Sequence, residues 1–173
     1  MNIVLIGYRC SGKTTIGNII ADKLGRDLLD TDAWIEANAG CSLETIISRY
    51  GWDHFRKLEK GVVEEISRKD NLVIGTGGGV VMDGDNVKHL KKNGWFVWLH
   101  ADAEVLEQRM EKEQRSGKIR PSLTGGDPLD EIKEVLKARA PLYKQAADLV
   151  VDTTTLTPTE AAACIVKAMP QRT

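Results

Sequence analysis

Short apolar runs alternate along this chain with longer stretches of helical periodicity. Five apolar runs predict strands over residues 2–6, 27–30, 72–75, 95–100 and 149–152. Between and after them, apolar positions recur at helical spacing and predict helices over residues 13–24, 33–69, 86–92, 103–114, 129–145 and 159–168. Strands that alternate with helices are typical of a parallel sheet covered on both faces. We therefore expect a three-layer α/β/α fold.

Residues at the ends of two predicted helices support these boundaries. Gly25 follows the first helix, where glycine adopts the left-handed conformation that ends a helix. Thr157 and Pro158 begin the last one, as an N-cap and a proline at the first helical position. No repeat, linker or low-complexity segment interrupts the 173 residues, so we expect one domain over residues 1–173.

A glycine-rich segment follows the first predicted strand directly. Residues 7–14 read GYRCSGKT and match the pattern G-x-x-x-x-G-K-[ST] of a nucleotide phosphate loop. Backbone N–H groups of such a loop surround the phosphates, and the next helix adds the positive end of its dipole. Lys13 would reach the β- and γ-phosphates, and the Thr14 hydroxyl would bind Mg²⁺. A chance glycine turn is the alternative, but the strand-loop-helix context favours a nucleotide site.

Two carboxylates follow the second predicted strand. Ligands of open parallel sheets collect at the carboxyl ends of the strands, which makes these residues candidates for substrate binding. Asp30 and Asp32 stand at alternate positions, so a strand would point both the same way, with Thr31 opposite. One could hold Mg²⁺ through water and the other could orient a nucleophilic hydroxyl. The alternative is a turn in which Asp32 caps the next helix.

Three consecutive glycines, Gly77, Gly78 and Gly79, follow the third predicted strand. They expose backbone N–H groups and let a ligand approach the main chain closely. A flexible turn is the alternative, and the place at a strand end favours the binding role. No Asn-Lys-x-Asp motif for reading guanine is present, which disfavours a GTPase switch.

Amino-acid composition limits the kinds of binding partner and the cellular compartment that we expect for this protein. A formal net charge of −1, with 28% charged residues and no large basic block, favours small molecules over nucleic acid. Cys10, Cys41 and Cys164 lie far apart, which indicates neither a disulfide framework nor a zinc site. Neither a signal sequence nor an 18-residue apolar run is present, so we expect no membrane association and a cytoplasmic location.

With these motifs in place, the chain resembles the shikimate kinase family, which belongs to the nucleoside monophosphate kinase-like P-loop group. The resemblance spans residues 3 to about 166 and depends on six segments: the phosphate loop, Asp30-Thr31-Asp32, FRKLE at 55–59, GGG at 77–79, Arg120-Pro121 and RAPLY at 139–143. It implies a five-stranded parallel sheet of order 2-3-1-4-5, a substrate-binding region over about 32–61 and a mobile lid over about 112–126. It also implies a monomer that transfers the γ-phosphoryl of ATP to the 3-hydroxyl of shikimate with Mg²⁺, on the route to chorismate.

The resemblance implies roles for particular residues. Asp32, Lys13 and Arg120 would be catalytic, with Asp32 as the base or the group that orients the hydroxyl. Arg56 and Arg139 would grip the shikimate carboxylate, with Glu59 holding Arg56. The full substrate-binding set would be Asp32, Arg56, Gly77, Gly78, Gly79 and Arg139. The nucleotide-binding set would be Gly7, Cys10, Ser11, Gly12, Lys13, Thr14, Thr15, Arg109, Arg120 and Pro158, and Thr14 and Asp30 would contribute to the Mg²⁺ site.

Other interpretations stay open for several of these residues. Arg109 could be a solvated helix charge, Arg139 could pair with Glu134 one helical turn away, and Pro158 begins a helix well in any case. The same motifs would suit a kinase for another small hydroxy acid such as gluconate, or for a nucleoside monophosphate. A nucleotide-binding regulator without turnover is the alternative from a different class, although it would need no acid at Asp32.

Five positions depart from the family pattern. Tyr8, Arg9 and Cys10 fill the variable part of the phosphate loop, where a small residue is usual at its third place. Trp52 stands at a commonly acidic position, and Ile47 replaces an aromatic residue that often lines the shikimate pocket. We therefore expect a pocket with a somewhat different shape.

Overall fold

One parallel sheet forms the centre of the molecule. In the computed structural model, which describes residues 1–117, 122–123 and 128–170, the strands are β1 (Asn2–Ile6), β2 (Asp27–Asp30), β3 (Leu72–Gly75), β4 (Gly94–His100) and β5 (Leu149–Asp152). All neighbours pair in parallel in the order β2-β3-β1-β4-β5. The predicted fold class and strand order are therefore confirmed.

The middle strand is buried on both faces because its sequence is a continuous apolar run. Val4 and Ile6 belong to one apolar cluster, and Ile3 and Leu5 belong to a second cluster on the other face. All four side chains are fully buried. This burial holds the carboxyl end of β1, from which the phosphate loop leaves, in a rigid position.

Seven helices and one short 3-10 turn complete the described part of the chain. They are α1 (Lys13–Leu24), α2 (Thr31–Ala39), α3 (Leu43–Ile66), the turn at Val80–Met82, α4 (Gly84–Lys91), α5 (Ala103–Arg115), α6 (Pro128–Ala146) and α7 (Pro158–Ala168). Gly25 ends α1 in the left-handed conformation, and Thr157 caps α7 reciprocally with Glu160, as expected. Among these described helices, none combines the length and the apolar character needed to cross a membrane.

Residues 33–69 do not form one helical stretch, so that prediction was wrong in detail. Gly40 ends α2 with φ 67°, and the Ser42 side chain caps α3 by accepting from the Thr45 N–H. Gly51, with φ 79° and ψ 171°, then bends α3. The apolar spacing continues through both breaks, which is why periodicity alone did not reveal them.

The segment around Asp30 and Asp32 also differs from the prediction. β2 ends at Asp30, and α2 begins at Thr31, so the two carboxylates are not alternate positions of one strand. Asp30, and not Asp32, is the N-cap: its Oδ1 accepts from the N–H groups of Asp32 and Ala33 at 3.0 and 3.3 Å. The local hydrogen bonds of the cap outweighed the strand pattern, because they satisfy helix N–H groups that would otherwise lack partners.

The start of β4 predicts a clear substitution effect. A Cβ at Gly94 would lie 2.8 Å from Cγ2 of Val4 and closer still to the Leu90 carbonyl oxygen in α4. We expect Gly94→Ala to lower the free energy of unfolding by about 1–3 kcal/mol, because backbone must move to make room. Urea denaturation measures this change in the free energy of unfolding. Gly84→Ala is the matched control, because nothing lies within 4 Å of its Cβ position, and an equal loss in that variant would contradict the explanation.

Candidate active site

The backbone path of the phosphate loop depends on two glycines. Gly7 has φ 145°, and a Cβ there would lie 2.5 Å from the Leu99 carbonyl oxygen and 2.9 Å from Oγ of Ser11. Gly12 has φ 97°, in the left-handed region that other residues rarely adopt. The loop can therefore turn tightly from β1 into α1 only with glycine at both positions.

Lys13 lies across this loop. Its Nζ donates to the carbonyl oxygens of Gly7 and Tyr8 at 2.9 and 2.7 Å. Together with Cys10, Gly12, Thr14 and Thr15 it lines a smaller cavity of about 70 Å³. The loop thus places an ammonium group where a nucleotide would bring its phosphates.

Arg109 lies against the phosphate loop and the end of β5. Its Nη1 donates to the Cys10 carbonyl oxygen at 3.4 Å, and its Nη2 donates to the Thr153 carbonyl oxygen at 2.6 Å. These bonds favour the predicted nucleotide role over a solvated helix charge. Pro158 begins α7 beyond the same strand end.

Thr153 is a residue of this site that the sequence analysis did not single out. Its Oγ1 donates to the His100 carbonyl oxygen at 2.9 Å, which joins the ends of β4 and β5. The signal was present, because a polar residue directly after the fifth strand falls under the same strand-end rule that identified Asp30 and Gly77.

Thr14 and Asp30 form a pair of oxygen ligands beside the smaller cavity. The Thr14 hydroxyl donates to Asp30 Oδ2 at 2.9 Å. Among the described residues, no cluster of three or more His, Cys, Asp or Glu side chains could hold a metal ion. Hydroxyl and carboxylate oxygens fit Mg²⁺, which proteins commonly bind through one or two side chains plus substrate phosphates.

Asp32 and Glu59 meet at Gly77. A Cβ at Gly77 would lie 2.9 Å from Oδ1 of Asp32 and 2.7 Å from Oε1 of Glu59. The N–H of Gly77 donates to Oγ1 of the buried Thr31 at 2.9 Å, which fixes the glycine against the start of α2. The site therefore places two carboxyl groups against the space that a side chain at Gly77 would fill.

Arg56 is held from several sides. Its Nη1 donates to Glu59 Oε2 at 2.7 Å, and its guanidinium carbon lies 5.1 and 5.6 Å from the ring centroids of Phe55 and Trp52. A Cβ at Gly79 would lie 2.6 Å from that carbon, so the guanidinium packs directly on the glycine backbone. With 30% of its side chain exposed, Arg56 keeps a free face for a ligand.

Arg139 approaches from α6. Its Nη1 lies 3.8 Å from the Cβ position of Gly78, and Tyr143, one turn later, donates its hydroxyl to the Gly78 carbonyl oxygen. Burial raises the pKa of Tyr143 to about 12, so it donates at all ordinary pH values. Arg139 thus faces the glycine segment from α6.

A larger cavity of about 610 Å³ collects the predicted substrate-binding residues. Among its lining residues are Asp32, Arg56, Gly77, Gly78, Gly79 and Arg139, together with Ile47 and Trp52. Arg9, Thr14, Asp30, Asp32 and Gly78 line both cavities, so the two spaces adjoin. A ligand in the larger cavity would therefore lie next to the phosphate loop.

Some predicted features lie outside the described residues. Arg120 is one of them, as are residues 118–121 and 124–127 of the predicted lid over about 112–126. The role of Arg120 and the motion of the lid stay predictions.

The phosphate loop beside a cavity with an acid and two arginines places the chain in the class of small-molecule P-loop kinases. A family model described as shikimate kinase matches residues 9–170. The chain belongs to the shikimate kinase family and is an ATP-dependent kinase.

Individual relatives agree with this family. The shikimate kinase of Thermodesulfovibrio yellowstonii is 42% identical over 166 residues, which cover 96% of this chain and 93% of that protein. Shikimate kinase from Acinetobacter baumannii, solved in complex with shikimate, superposes with a TM-score of 0.89 at 33% identity, over 96% of this chain and 90% of that one. A gluconokinase from Sinorhizobium meliloti reaches 0.55 at 18% identity, over 96% and 91% of the two chains, which shows a shared fold alone.

Glu59 predicts a dependence of stability on pH. Burial raises the pKa of this carboxyl above its ordinary value of 4.5, although Arg56 opposes the shift. The folded state therefore binds this proton more tightly than the unfolded chain does, and stability is lost as the pH rises above about 4.5 toward the folded pKa. We expect Glu59→Gln to gain unfolding free energy relative to the wild type over that rise, measured by urea denaturation from pH 4 to 7.

Glu64→Gln serves as the control, because Glu64 lies on the same helix and is exposed. A stability difference between Glu59→Gln and wild type that stays constant with pH would contradict this prediction, because it would show that the pKa of Glu59 is the same in the folded and unfolded states.

Proposed function

We propose that this chain transfers the γ-phosphoryl of ATP to the 3-hydroxyl of shikimate, giving shikimate 3-phosphate and ADP. The proposal depends on one observation above all: an acid and two arginines line the larger cavity, which shares five lining residues with the smaller cavity at the phosphate loop. Shikimate carries one carboxylate and three hydroxyls, which match two cations and a hydroxyl-orienting acid. The catalytic and binding roles that follow are part of the proposal.

Arg56 and Arg139 would bind the shikimate carboxylate. Guanidinium groups bind carboxylates in a bidentate manner, and Arg56 is preorganised by Glu59, two aromatic rings and Gly79. Less side-chain entropy is lost on binding when a cation is already held in place. The N–H groups of Gly78 and Gly79 would contact the same ligand.

Asp32 would act as the base or as the group that orients the 3-hydroxyl. It lines both cavities, in the first turn of α2, so it lies between the acceptor and the phosphates. As the hydroxyl oxygen attacks the γ-phosphorus, its proton passes to an Asp32 oxygen while the bond to the β-phosphate oxygen breaks. Holding the hydroxyl in line is the larger contribution, because phosphoryl transfer needs mainly positioning and charge stabilisation.

The phosphate loop would bind ATP through Gly7, Cys10, Ser11, Gly12 and Thr15, with Lys13 on the β- and γ-phosphates. Thr14 and Asp30 would hold Mg²⁺, which when bound neutralises charge on those phosphates. Arg109 and Pro158 would enclose the adenine, and Arg120 would contact the transferred phosphate.

The organisation of the protein belongs to the same proposal. α1 and α7 pack together on one face of the sheet, and the substrate cavity lies at the carboxyl ends of strands of the same sheet, which supports a single kinase domain over residues 1–173. We propose a cytoplasmic monomer that binds small molecules, with neither nucleic acid nor a membrane as partner, in agreement with its nearly neutral charge.

A panel of acceptors tests the function. We expect ADP release with ATP and shikimate, and only background release with gluconate, AMP, CMP or no acceptor. If ADP were released with AMP, CMP or gluconate but not with shikimate, that compound would be the acceptor in place of shikimate. ADP release that depends on no acceptor would favour the regulatory interpretation.

Asp32→Asn should abolish the shikimate-dependent release of ADP while ATP binding survives, which assigns that release to this site.

Replacing Arg56 tests the carboxylate grip. We expect Arg56→Lys to raise the KM for shikimate roughly ten- to a hundredfold, about 1.5–3 kcal/mol, with little change in the KM for ATP, because lysine cannot bind a carboxylate in a bidentate manner. Steady-state kinetics with each substrate varied measures both constants. Arg68→Lys is the control, because Arg68 is exposed and pairs with Glu64 near the end of α3. An unchanged KM in Arg56→Lys would place the carboxylate elsewhere.

A further inference from the structure

A buried carboxylate outside the proposed substrate-binding set connects the phosphate loop to α6. Nη2 of Arg9 donates to Oε1 of Glu131 at 2.6 Å, and the two side chains are only 10% and 4% exposed. Breaking a buried ion pair by removing one partner is strongly destabilising, because the remaining charge loses compensation in a dry environment. Arg9, one of the departures from the family pattern, therefore has a specific partner in this chain.

The second oxygen of Glu131 binds a different segment. The N–H of Leu123 donates to Oε2 at 3.0 Å, and the Ser122 hydroxyl donates to the same oxygen. One carboxylate thus joins the phosphate loop, the first turn of α6 and residues 122–123. Arg9 and Leu123, which it holds, both line the larger cavity, and Arg9 also lines the smaller one.

Tyr8 strengthens the same connection. Nε of Arg9 donates to the Tyr8 hydroxyl at 3.3 Å, and the buried Tyr8 ring packs in an apolar cluster with Ile132 and Val135 of α6. The variable positions of the phosphate loop are therefore attached to α6, the helix that also carries Arg139.

We propose that Glu131 is a positioning residue of the larger cavity, which keeps Arg9 and Leu123 in the arrangement that fits the acceptor. It acts through these two residues, with one oxygen on each. The inference rests on the proposed function for the identity of the acceptor, but the arrangement itself is a property of the unliganded protein.

Glu131→Gln tests the role, because glutamine keeps an oxygen acceptor for Leu123 and removes the charge that holds Arg9. We expect the KM for shikimate to rise about tenfold, which corresponds to about 1.4 kcal/mol, with a smaller change in kcat. Lower stability by itself would reduce the amount of active enzyme and leave KM unchanged. The matched control is Glu104→Gln, which breaks an exposed pair with Lys133 of α6 and should leave KM unchanged.

The pair is tested by Arg9→Met and by the double variant Arg9→Met/Glu131→Gln. Because the residues act as one unit, we expect the KM of the double variant to be no higher than that of the worse single variant. The double variant removes both buried charges, so it also provides the KM test if Glu131→Gln fails to fold. Three results would overturn the proposal. The effects of the two single variants on KM could add in the double variant. The KM of Glu131→Gln or of the double variant could stay within about twofold of wild type, or the KM of Glu104→Gln could rise as much as that of Glu131→Gln.

Amide hydrogen exchange separates this inference from the function. In unliganded protein, Arg9→Met should speed exchange at the Leu123 amide, because Glu131 loses the guanidinium that binds its Oε1 and moves. An unchanged exchange rate would refute the positioning role even if shikimate is the acceptor. Wild-type protein without shikimate turnover would instead refute the proposed function, and the exchange result would still decide the role of Glu131.

Discussion

The site depends on close packing against three glycines that follow β3. Asp32 and Glu59 approach Gly77, Arg139 approaches Gly78, and the Arg56 guanidinium packs on Gly79. Side chains at these positions would occupy the space that the functional groups now fill. The phosphate loop meets the same segment, because the backbone N of Arg9 and the Gly7 carbonyl oxygen lie 3.4 Å from the Cβ position of Gly78. Residues from four parts of the chain therefore converge on one short backbone segment at the carboxyl end of β3.

This convergence explains how a polar site can be built in a largely buried place. Glu59 is almost fully buried, and burial raises its pKa, yet it faces Arg56 at 2.7 Å and lies in the field of Arg139. The two arginines are thus balanced in part before any ligand arrives, which limits their repulsion. A bound carboxylate would add the negative charge that the pair still lacks. The acceptor and the phosphates can then approach each other along the wall that both cavities share.

Several candidate site residues were predictable because their signal is local. The phosphate loop, the acids after β2 and the glycines after β3 all follow from motif spacing and from the rule that ligands collect at strand ends. Thr153 satisfies the same rule and could have been found in this way. Glu131 could not, because a carboxylate in the first turn of a helix is common, and its partner Arg9 is 122 residues away in the chain. The break at Gly40 and the bend at Gly51 were hidden for the opposite reason, since the apolar periodicity continues through them.

The sequence by itself determined the fold class, the strand order implied by the family and the identity of most candidate site residues. These depend on patterns within short segments, which operate before distant parts of the chain meet. Only the tertiary structure decided that Asp30 also binds Thr14, that the two cavities share a wall, and that Arg9 belongs to a buried pair with Glu131. Hydrogen bonds and charge pairs of this kind form between groups far apart in sequence. Their geometry exists only after the sheet and its helices have packed together.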